Sequence, residues 1–155
     1  MKNLLLTLLM FFTLSTFSQS STWIPVVIEE GKDMEYLAFE KNWMSINKAL
    51  IDAGYRTGWS VWKRTPKDGD DGWAQYYVVV GNNDEMQLSQ EEWAPFMQKA
   101  LGKSQRAISK MMDGSGIIAE ARPLQISWVG GTVYAGSSIK PGDKMYFHYM
   151  TQQNE

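Results

Sequence analysis

The sequence has no cysteine and a single histidine, His148. The missing cysteines exclude disulfide bonds, thiol nucleophiles, cysteine-ligated zinc and iron–sulfur clusters. One histidine excludes a metal site built from several histidines of one chain, and we expect neither a metal nor another cofactor. The sequence also has little net charge, because its 15 basic residues are nearly balanced by 17 acidic ones. A nucleic-acid-binding surface made of bulk positive charge is therefore excluded.

Residues 1–18 have the pattern of a secretory signal peptide. Lys2 precedes a short apolar run (LLLTLLMFFTL), and Thr16 and Ser18 occupy the −3 and −1 positions of a small-residue cleavage site. No cysteine follows that would carry a lipid anchor. We therefore expect a secreted or periplasmic protein with no stable membrane anchor after cleavage, and residues 19–155 as a single domain. The alternative is that the segment remains attached as a buried helix or an uncleaved anchor.

Hydrophobic periodicity in the rest of the chain predicts the element order β-α-β-β-α-β, followed by an additional C-terminal strand or extension. The first helix spans about 33–53 and ends at Gly54. The second helical region spans about 89–112, where Ser89 and Glu92 have capping-box spacing and Pro95 leaves open whether there is one helix or two. The predicted strands cover 22–30, 58–64, 73–81, about 124–133 and 144–150. This order predicts an α+β, ferredoxin-like antiparallel sheet with two helices on one face.

Both faces of the predicted strands are apolar. In the third strand Ala74, Tyr76, Val78 and Val80 share one face, whereas Trp73, Tyr77 and Val79 share the other. A sheet with helices on one side and water on the other has polar residues on its wet face. The second face therefore needs a cover, and a partner subunit that presents its own sheet would supply one, so we expect a homodimer.

The segment VVIEEGKDMEYLAFEKNWMSINKALIDAGYRTGW and the hairpin after it resemble the dimeric α+β barrel superfamily, and within it secreted, mostly uncharacterised bacterial members. The resemblance covers roughly residues 23–128 and implies two ferredoxin-like subunits paired sheet to sheet. Members of the superfamily include small monooxygenases, haem-degrading enzymes, muconolactone isomerase-type enzymes and proteins without a known activity. The Asn, Trp and His set of the haem-degrading members cannot be placed on this sequence, since its only histidine lies in the predicted C-terminal strand, and a fold of this breadth does not define a reaction.

Two residues are candidates for acid–base catalysis. His148 shares a strand face with Tyr146, and Glu40 lies at the border of the apolar helix face, beside Phe39 and three residues from Trp43. A carboxylate desolvated by aromatic rings can have a raised pKa and can take a proton from a carbon acid. In the alternative interpretation, His148 lies at a sheet edge with the hydrogen bonds of its ring satisfied. Likewise, Glu40 would pair with a cation on a solvent-exposed flank of the helix.

Aromatic residues are numerous, with seven tryptophans and seven tyrosines. The candidates for contact with an aromatic or polycyclic ligand are Trp43, Trp62, Tyr77 and Tyr146, with Arg64 to hold an anionic group of that ligand. In the other interpretation, most of the rings form the core and a dimer interface.

Three functions remain open at this stage. The first is a small-ligand-binding or cofactor-independent enzymatic dimeric α+β barrel. The second is a secreted carbohydrate-associated protein, which requires tryptophan rings on an open surface. The third is a non-catalytic module whose activity is its own dimerisation.

Overall fold

The computed structural model describes residues 20–66, 72, 74–127, 140 and 142–144. The predicted signal peptide, Tyr146 and His148 lie outside these ranges, so export stays a prediction. The elements of the described ranges are β1 (Ser20–Ile28), α1 (Asp33–Asp52), β2 (Arg56–Lys63), β3 (Tyr76–Asn82), α2 (Gln90–Leu101), α3 (Gln105–Met111), β4 (Ile118–Ala121) and β5 (Leu124–Ser127). In the described ranges, no helix is long and apolar enough to cross a membrane.

The strands form one antiparallel sheet in the order β2-β3-β1-β4, with β5 also paired to β1. Strand β1 is therefore central: Trp23 lies opposite Val79 of β3 on one side and opposite Leu124 of β5 on the other. The sheet is open, and its strand order together with the connections through helices is that of the ferredoxin-like fold. The predicted α+β class and topology are confirmed.

The fourth strand differs from its prediction. Instead of one strand over 124–133, the structure has β4 and β5, which pair with successive halves of β1 and are separated by Arg122 and Pro123. The break lies beside Pro25 of β1, whose carbonyl accepts a hydrogen bond from the backbone N–H of Arg122 at 3.2 Å. Because proline has no N–H, neither Pro25 nor Pro123 can donate a hydrogen bond to the ladder between these strands. The predicted strand positions 128–133 and 145–150 lie outside the described residues.

Helix α1 agrees with its prediction to within one residue and ends in a Schellman motif. The backbone N–H of Tyr55 donates to the carbonyl of Leu50 at 2.9 Å, and that of Gly54 donates to the carbonyl of Ile51 at 3.0 Å. Gly54 has a φ of +84°, a left-handed conformation that favours glycine. This turn reverses the chain from α1 directly into β2.

The second helical region consists of two helices. Ser89 and Glu92 form the predicted capping box at the start of α2, and Pro95 lies inside α2 without ending it. The break comes at Gly102, which has a φ of +61°, and Ser104 then caps α3. A left-handed glycine stops a helix because the backbone can no longer continue its hydrogen-bond ladder.

Two core clusters hold these layers together. The first packs α1 on the sheet and is formed by Val26, Ile28, Tyr36, Phe39, Tyr76, Val78 and Val80. The second packs α2 and α3 against α1 and is formed by Ile46, Leu50, Met97 and Ile108. The strand register thus places even-numbered residues of β3 on the helix side, as predicted for Tyr76, Val78 and Val80.

Neither core cluster includes the other face of the sheet. We call this the open face, and it carries Trp23, Pro25, Val27, Trp62, Tyr77, Val79, Leu124 and Ile126. Leu124 is 50% exposed and Ile126 is 38% exposed. The prediction of two apolar faces therefore agrees with the register of the described strands.

Candidate functional site

A cleft of about 380 Å³ opens on the helix side, where β1 and β2 begin and β3 ends. We call it the Arg56 cleft. Its polar wall is formed by Ser20, Arg56, Asn82, Asn83, Asp84, Gln87 and Gln125. Its apolar wall is formed by Leu50, Tyr55, Leu88 and Trp93. A volume of this size lies within the range of small-molecule sites, about 300–1,000 Å³.

The turn after α1 positions Arg56 in this cleft. The Schellman motif at Gly54 brings the chain back at the C-terminal end of α1, so Arg56 becomes the first residue of β2 and pairs with Asn82 of β3. The side-chain amide of Asn83 donates to the carbonyl of Gly54 at 2.7 Å and ties the end of β3 to the same turn. Backbone geometry therefore sets the place of the guanidinium group.

Asn47, which is only 1% exposed, holds the Arg56 head group from the inner face of α1. The Asn47 side-chain N–H donates to the carbonyl of Trp43 at 2.8 Å, which turns the amide oxygen toward Arg56 to accept a hydrogen bond from its Nη1. Burial lowers the pKa of the Arg56 guanidinium. An arginine nevertheless remains charged in a protein, so the cleft contains a partly desolvated cation with a neutral partner.

Among the residues that the structure describes, the ion pairs involve other cations, and no carboxylate lies within salt-bridge distance of Arg56. Asp84 lies on the cleft wall, but its carboxylate accepts hydrogen bonds from the hydroxyl and the backbone N–H of Ser20, the latter at 3.2 Å. The Asn82 amide donates to Thr22 Oγ1 at 3.2 Å and to Gln125 Oε1 at 3.4 Å. These contacts join β1, β3 and β5 into one polar wall.

A second polar cluster lies at the other end of α1. Asp33 Oδ1 accepts hydrogen bonds from Lys63 Nζ and from the Tyr76 hydroxyl, each at 2.6 Å. The hydrogen bond from Lys63 holds the pKa of Asp33 below its usual value, whereas burial raises the pKa of Tyr76. The Tyr76 ring also stacks at a tilt against Tyr36, with 4.5 Å between ring centroids. This cluster attaches the start of α1 to β2 and β3.

Glu40 lies about two turns along α1 from Asp33 and is only 7% exposed. Burial raises the pKa of the Glu40 carboxyl. Burial also raises the pKa of the Tyr36 hydroxyl, and the neighbouring Glu40 carboxylate raises it further. The Tyr36 hydroxyl is buried without a well-formed hydrogen bond in the described part of the chain. Of the two environments that the sequence left open for Glu40, the structure has the desolvated one, while its catalytic role stays a prediction.

The other candidates taken from sequence are distributed over the molecule. Trp43 is half-buried and contacts both core clusters. Trp62 lies opposite Tyr77 on the open face, where its indole N–H donates to Ser60 Oγ at 2.9 Å. The Arg64 guanidinium donates to backbone carbonyls, among them that of Ala74 at 3.4 Å. None of these side chains, nor Glu40, lines the Arg56 cleft.

Sequence reasoning did not select the residues of the cleft. They come from the start of β1, the end of α1, the turn into β2, the end of β3, the start of α2 and β5. The glycine that ends α1 was the signal closest to Arg56 in sequence, but it predicts a turn and not a partner for the guanidinium. Within the described residues, no group of three or more His, Asp or Glu side chains is placed to hold a metal ion.

No protein-family model matches the chain, and no curated protein matches it. Among solved structures, it is similar to a protein of unknown function from Nitrosomonas europaea, with 14% identity, a TM-score of 0.47, and 77% of this chain and 98% of that chain covered. A nipsnap family protein with unknown function from Agrobacterium tumefaciens has 12% identity and a TM-score of 0.41, with 72% and 88% covered. A dimeric ferredoxin-like protein of unknown function from Thermobifida fusca has 9% identity and a TM-score of 0.41, with 72% and 92% covered.

Proposed function

We propose that this protein binds a small molecule in the Arg56 cleft. The observation that carries the proposal is a cleft of about 380 Å³ whose walls combine an apolar side with a partly desolvated guanidinium group. Sites for small ligands combine an apolar lining with a few polar groups that orient the ligand. Here Leu50, Leu88 and Trp93 supply the apolar side, and Arg56 supplies a strong donor.

The described tryptophans favour this proposal over a carbohydrate-binding platform. Such a platform requires rings that lie exposed on an open surface. The tryptophans that the structure describes are all half-buried, and they are Trp23, Trp43, Trp59, Trp62 and Trp93. Among them Trp93 lines the cleft, where it can contact a ligand without forming a platform.

Glu40 lies outside this proposed binding site. It precedes Asn47 by seven residues on α1, which corresponds to about 10 Å along a helix. The proposal therefore concerns binding, and the hypothesis of Glu40 as a general base refers to a different part of the same helix.

Ligand screening by tryptophan fluorescence tests the proposal. A compound that enters the cleft is expected to change the emission of the wild-type protein, because Trp93 lies in the wall. The change should disappear in Trp93→Phe and persist in the matched variant Trp62→Phe, whose ring lies on the open face. If the change instead persists in Trp93→Phe and disappears in Trp62→Phe, the ligand binds the open face and the proposal is wrong.

We further propose that two copies of the chain associate through the open face. The supporting observation is the row of apolar side chains on this face that neither core cluster includes, of which Leu124 and Ile126 are the most exposed. Burying apolar surface is the main driving force of most protein association. Light scattering is expected to give about twice the chain mass, and a monomer at all concentrations would contradict the proposal.

A further inference from the structure

Resting on the proposed function, we infer that the ligand of the Arg56 cleft is a small organic molecule with a single carboxylate, which binds to the Arg56 guanidinium. The inference names the chemical class of the ligand, and three features of the cleft support it. These are the neutral partner of Arg56, the position of Asp84 and the apolar wall.

The first feature is the hydrogen bonding of the guanidinium. Its five N–H donors form a planar fork that matches a carboxylate. Asn47 accepts from Nη1, and its amide cannot be reversed without losing the hydrogen bond from its own N–H to the carbonyl of Trp43. Asn47 therefore positions the guanidinium group without neutralising it, and an arriving carboxylate can form the charged hydrogen bonds, which are the stronger kind.

The second feature is the balance of charge. Partial burial of Arg56 costs free energy as long as no anion pairs with it, and among the described side chains no carboxylate lies within salt-bridge distance. A bound carboxylate would offset that cost. Asp84 also lies on the cleft wall, however, and its charge would repel a second anionic group of the ligand. A monocarboxylate therefore fits better than a dicarboxylate or a phosphate.

The third feature is the apolar wall of the cleft. Leu50, Leu88 and Trp93 offer carbon surface to the part of the ligand that carries no charge. A small ring or a short branched chain next to the carboxylate would cover this wall. Benzoate has this combination, and benzamide is its neutral counterpart of the same shape, so the two compounds form a matched pair of probes.

NMR titration of the full chain with benzoate and with benzamide tests the inference, with the indole signal of Trp93 as the reporter. Benzoate is expected to bind at least about tenfold more tightly than benzamide, since hydrogen bonds between two charged groups are stronger than those to a neutral amide. Arg56→Gln should reduce the affinity for benzoate to that for benzamide. Arg106→Gln removes the same charge from an exposed position of α3 and should leave both affinities unchanged.

Asn47→Asp provides a second variant that does not alter Arg56. The new carboxylate would take the place of the amide oxygen that accepts from Arg56 and would form an ion pair with the guanidinium group. The affinity for benzoate should therefore fall about tenfold, while the affinity for benzamide stays the same. Equal affinities for benzoate and benzamide in the wild type and in Arg56→Gln would overturn the anion inference and leave binding in the cleft intact. The inference also fails if neither probe shifts the Trp93 signal while neutral compounds in the fluorescence screen do change the Trp93 emission. If no compound changes the Trp93 signal in either experiment, the proposed function fails as well.

Discussion

Three polar side chains lie on the buried face of α1, and their surroundings differ. Asn47 uses both ends of its amide, one toward Trp43 and one toward Arg56. Glu40 and Tyr36 are buried beside each other, and the Tyr36 hydroxyl has no well-formed hydrogen bond among the described residues. Buried polar groups without good partners lower the free energy of unfolding. Among these three, Asn47 is therefore paired at the cleft end of α1, whereas the Tyr36 hydroxyl, in the first half of the helix, is poorly satisfied.

Glu40→Gln tests the cost of the buried carboxyl. Burial raises the folded-state pKa above the usual 4.5, so the folded protein holds this proton more tightly than the unfolded chain. The charged form therefore destabilises the fold fully above the raised pKa, and this effect disappears as the pH falls below about 4.5. The variant should be more stable than wild type at neutral pH, with no gain in acid, as measured by thermal unfolding across pH.

The exposed Glu30→Gln is the control for this series, and it should shift the melting temperature little at any pH. A Glu40→Gln variant that is destabilised equally at every pH would contradict the interpretation. That outcome would mean that the folded-state pKa of Glu40 is not raised and that glutamine packs less well than the carboxyl group at every pH.

Tyr36→Phe and Tyr76→Phe remove two buried hydroxyls with different partners. The Tyr76 hydroxyl donates to Asp33 at 2.6 Å, whereas the Tyr36 hydroxyl lacks a well-formed hydrogen bond. Removing a poorly satisfied hydroxyl costs little, while removing a hydrogen-bonded one leaves its partner unmatched. In urea unfolding, Tyr76→Phe should be clearly less stable than wild type and Tyr36→Phe at least as stable. The reverse order would contradict the described packing of the two rings.

At the scale of elements, local sequence signals account for most of the helix boundaries. Gly54 ends α1 through its left-handed conformation, and Ser89 begins α2 through the capping box. The sequence left open whether the region of α2 and α3 is one helix or two because Pro95 can interrupt a helix, and it did not single out Gly102. In the structure Gly102 adopts a φ of +61° and ends the helix, while Pro95 is accommodated within it.

Ser89→Ala tests the contribution of the capping box. The serine hydroxyl accepts from the backbone N–H of Glu92 at 3.3 Å, and the Glu92 carboxylate accepts from the backbone N–H of Ser89 at 3.0 Å. Loss of such a cap lowers the free energy of unfolding by about 1 kcal/mol. Urea unfolding measures the change. Ser109→Ala, within the exposed part of α3, should be neutral or slightly stabilising, and an equal loss in both variants would show that the cap is not responsible.

At the scale of the whole molecule, the sheet has two different apolar surfaces. The helix side is filled by the two core clusters, whereas the open face carries side chains such as Leu124 and Ile126 that are partly exposed. Exposed apolar patches of this kind mark interaction surfaces in soluble proteins. Association of two copies through the open face would leave the Arg56 cleft accessible, because the cleft lies on the helix side.

Ile126→Lys tests association through the open face. A lysine here would place a charge within the proposed interface, and burying an unpaired charge is strongly unfavourable. Light scattering should give a dimer for the wild type and a monomer for the variant. Met34→Lys is the matched control, because Met34 is 76% exposed on α1 and lies outside the open face, so this variant should remain a dimer. A dimer that persists in Ile126→Lys would place the interface elsewhere.

The amino-acid sequence by itself determined the order of elements from β1 to α2, the ends of α1, the capping box and the two apolar faces of β3. These features depend on residues that are close in the chain, where helical and strand periodicity act directly. For Glu40 the sequence left a buried and a solvated environment open, because the residue lies at the border of the apolar helix face, and the tertiary packing made it buried. The division of the fourth strand into β4 and β5 was missed, because it depends on Pro25 of a different strand.

The Arg56 cleft was decided only by the tertiary structure. Its walls combine Ser20 and Gln125, which lie about a hundred residues apart in sequence, with Arg56 and Trp93. Periodicity predicts which side of an element is buried, but it carries no information on which polar side chains meet across the sheet or whether an arginine faces an acid or an amide. The neutral partner of Arg56 is therefore a property of the folded chain, since Asn47 and Arg56 meet only because α1 stops at Gly54 and β2 returns alongside it.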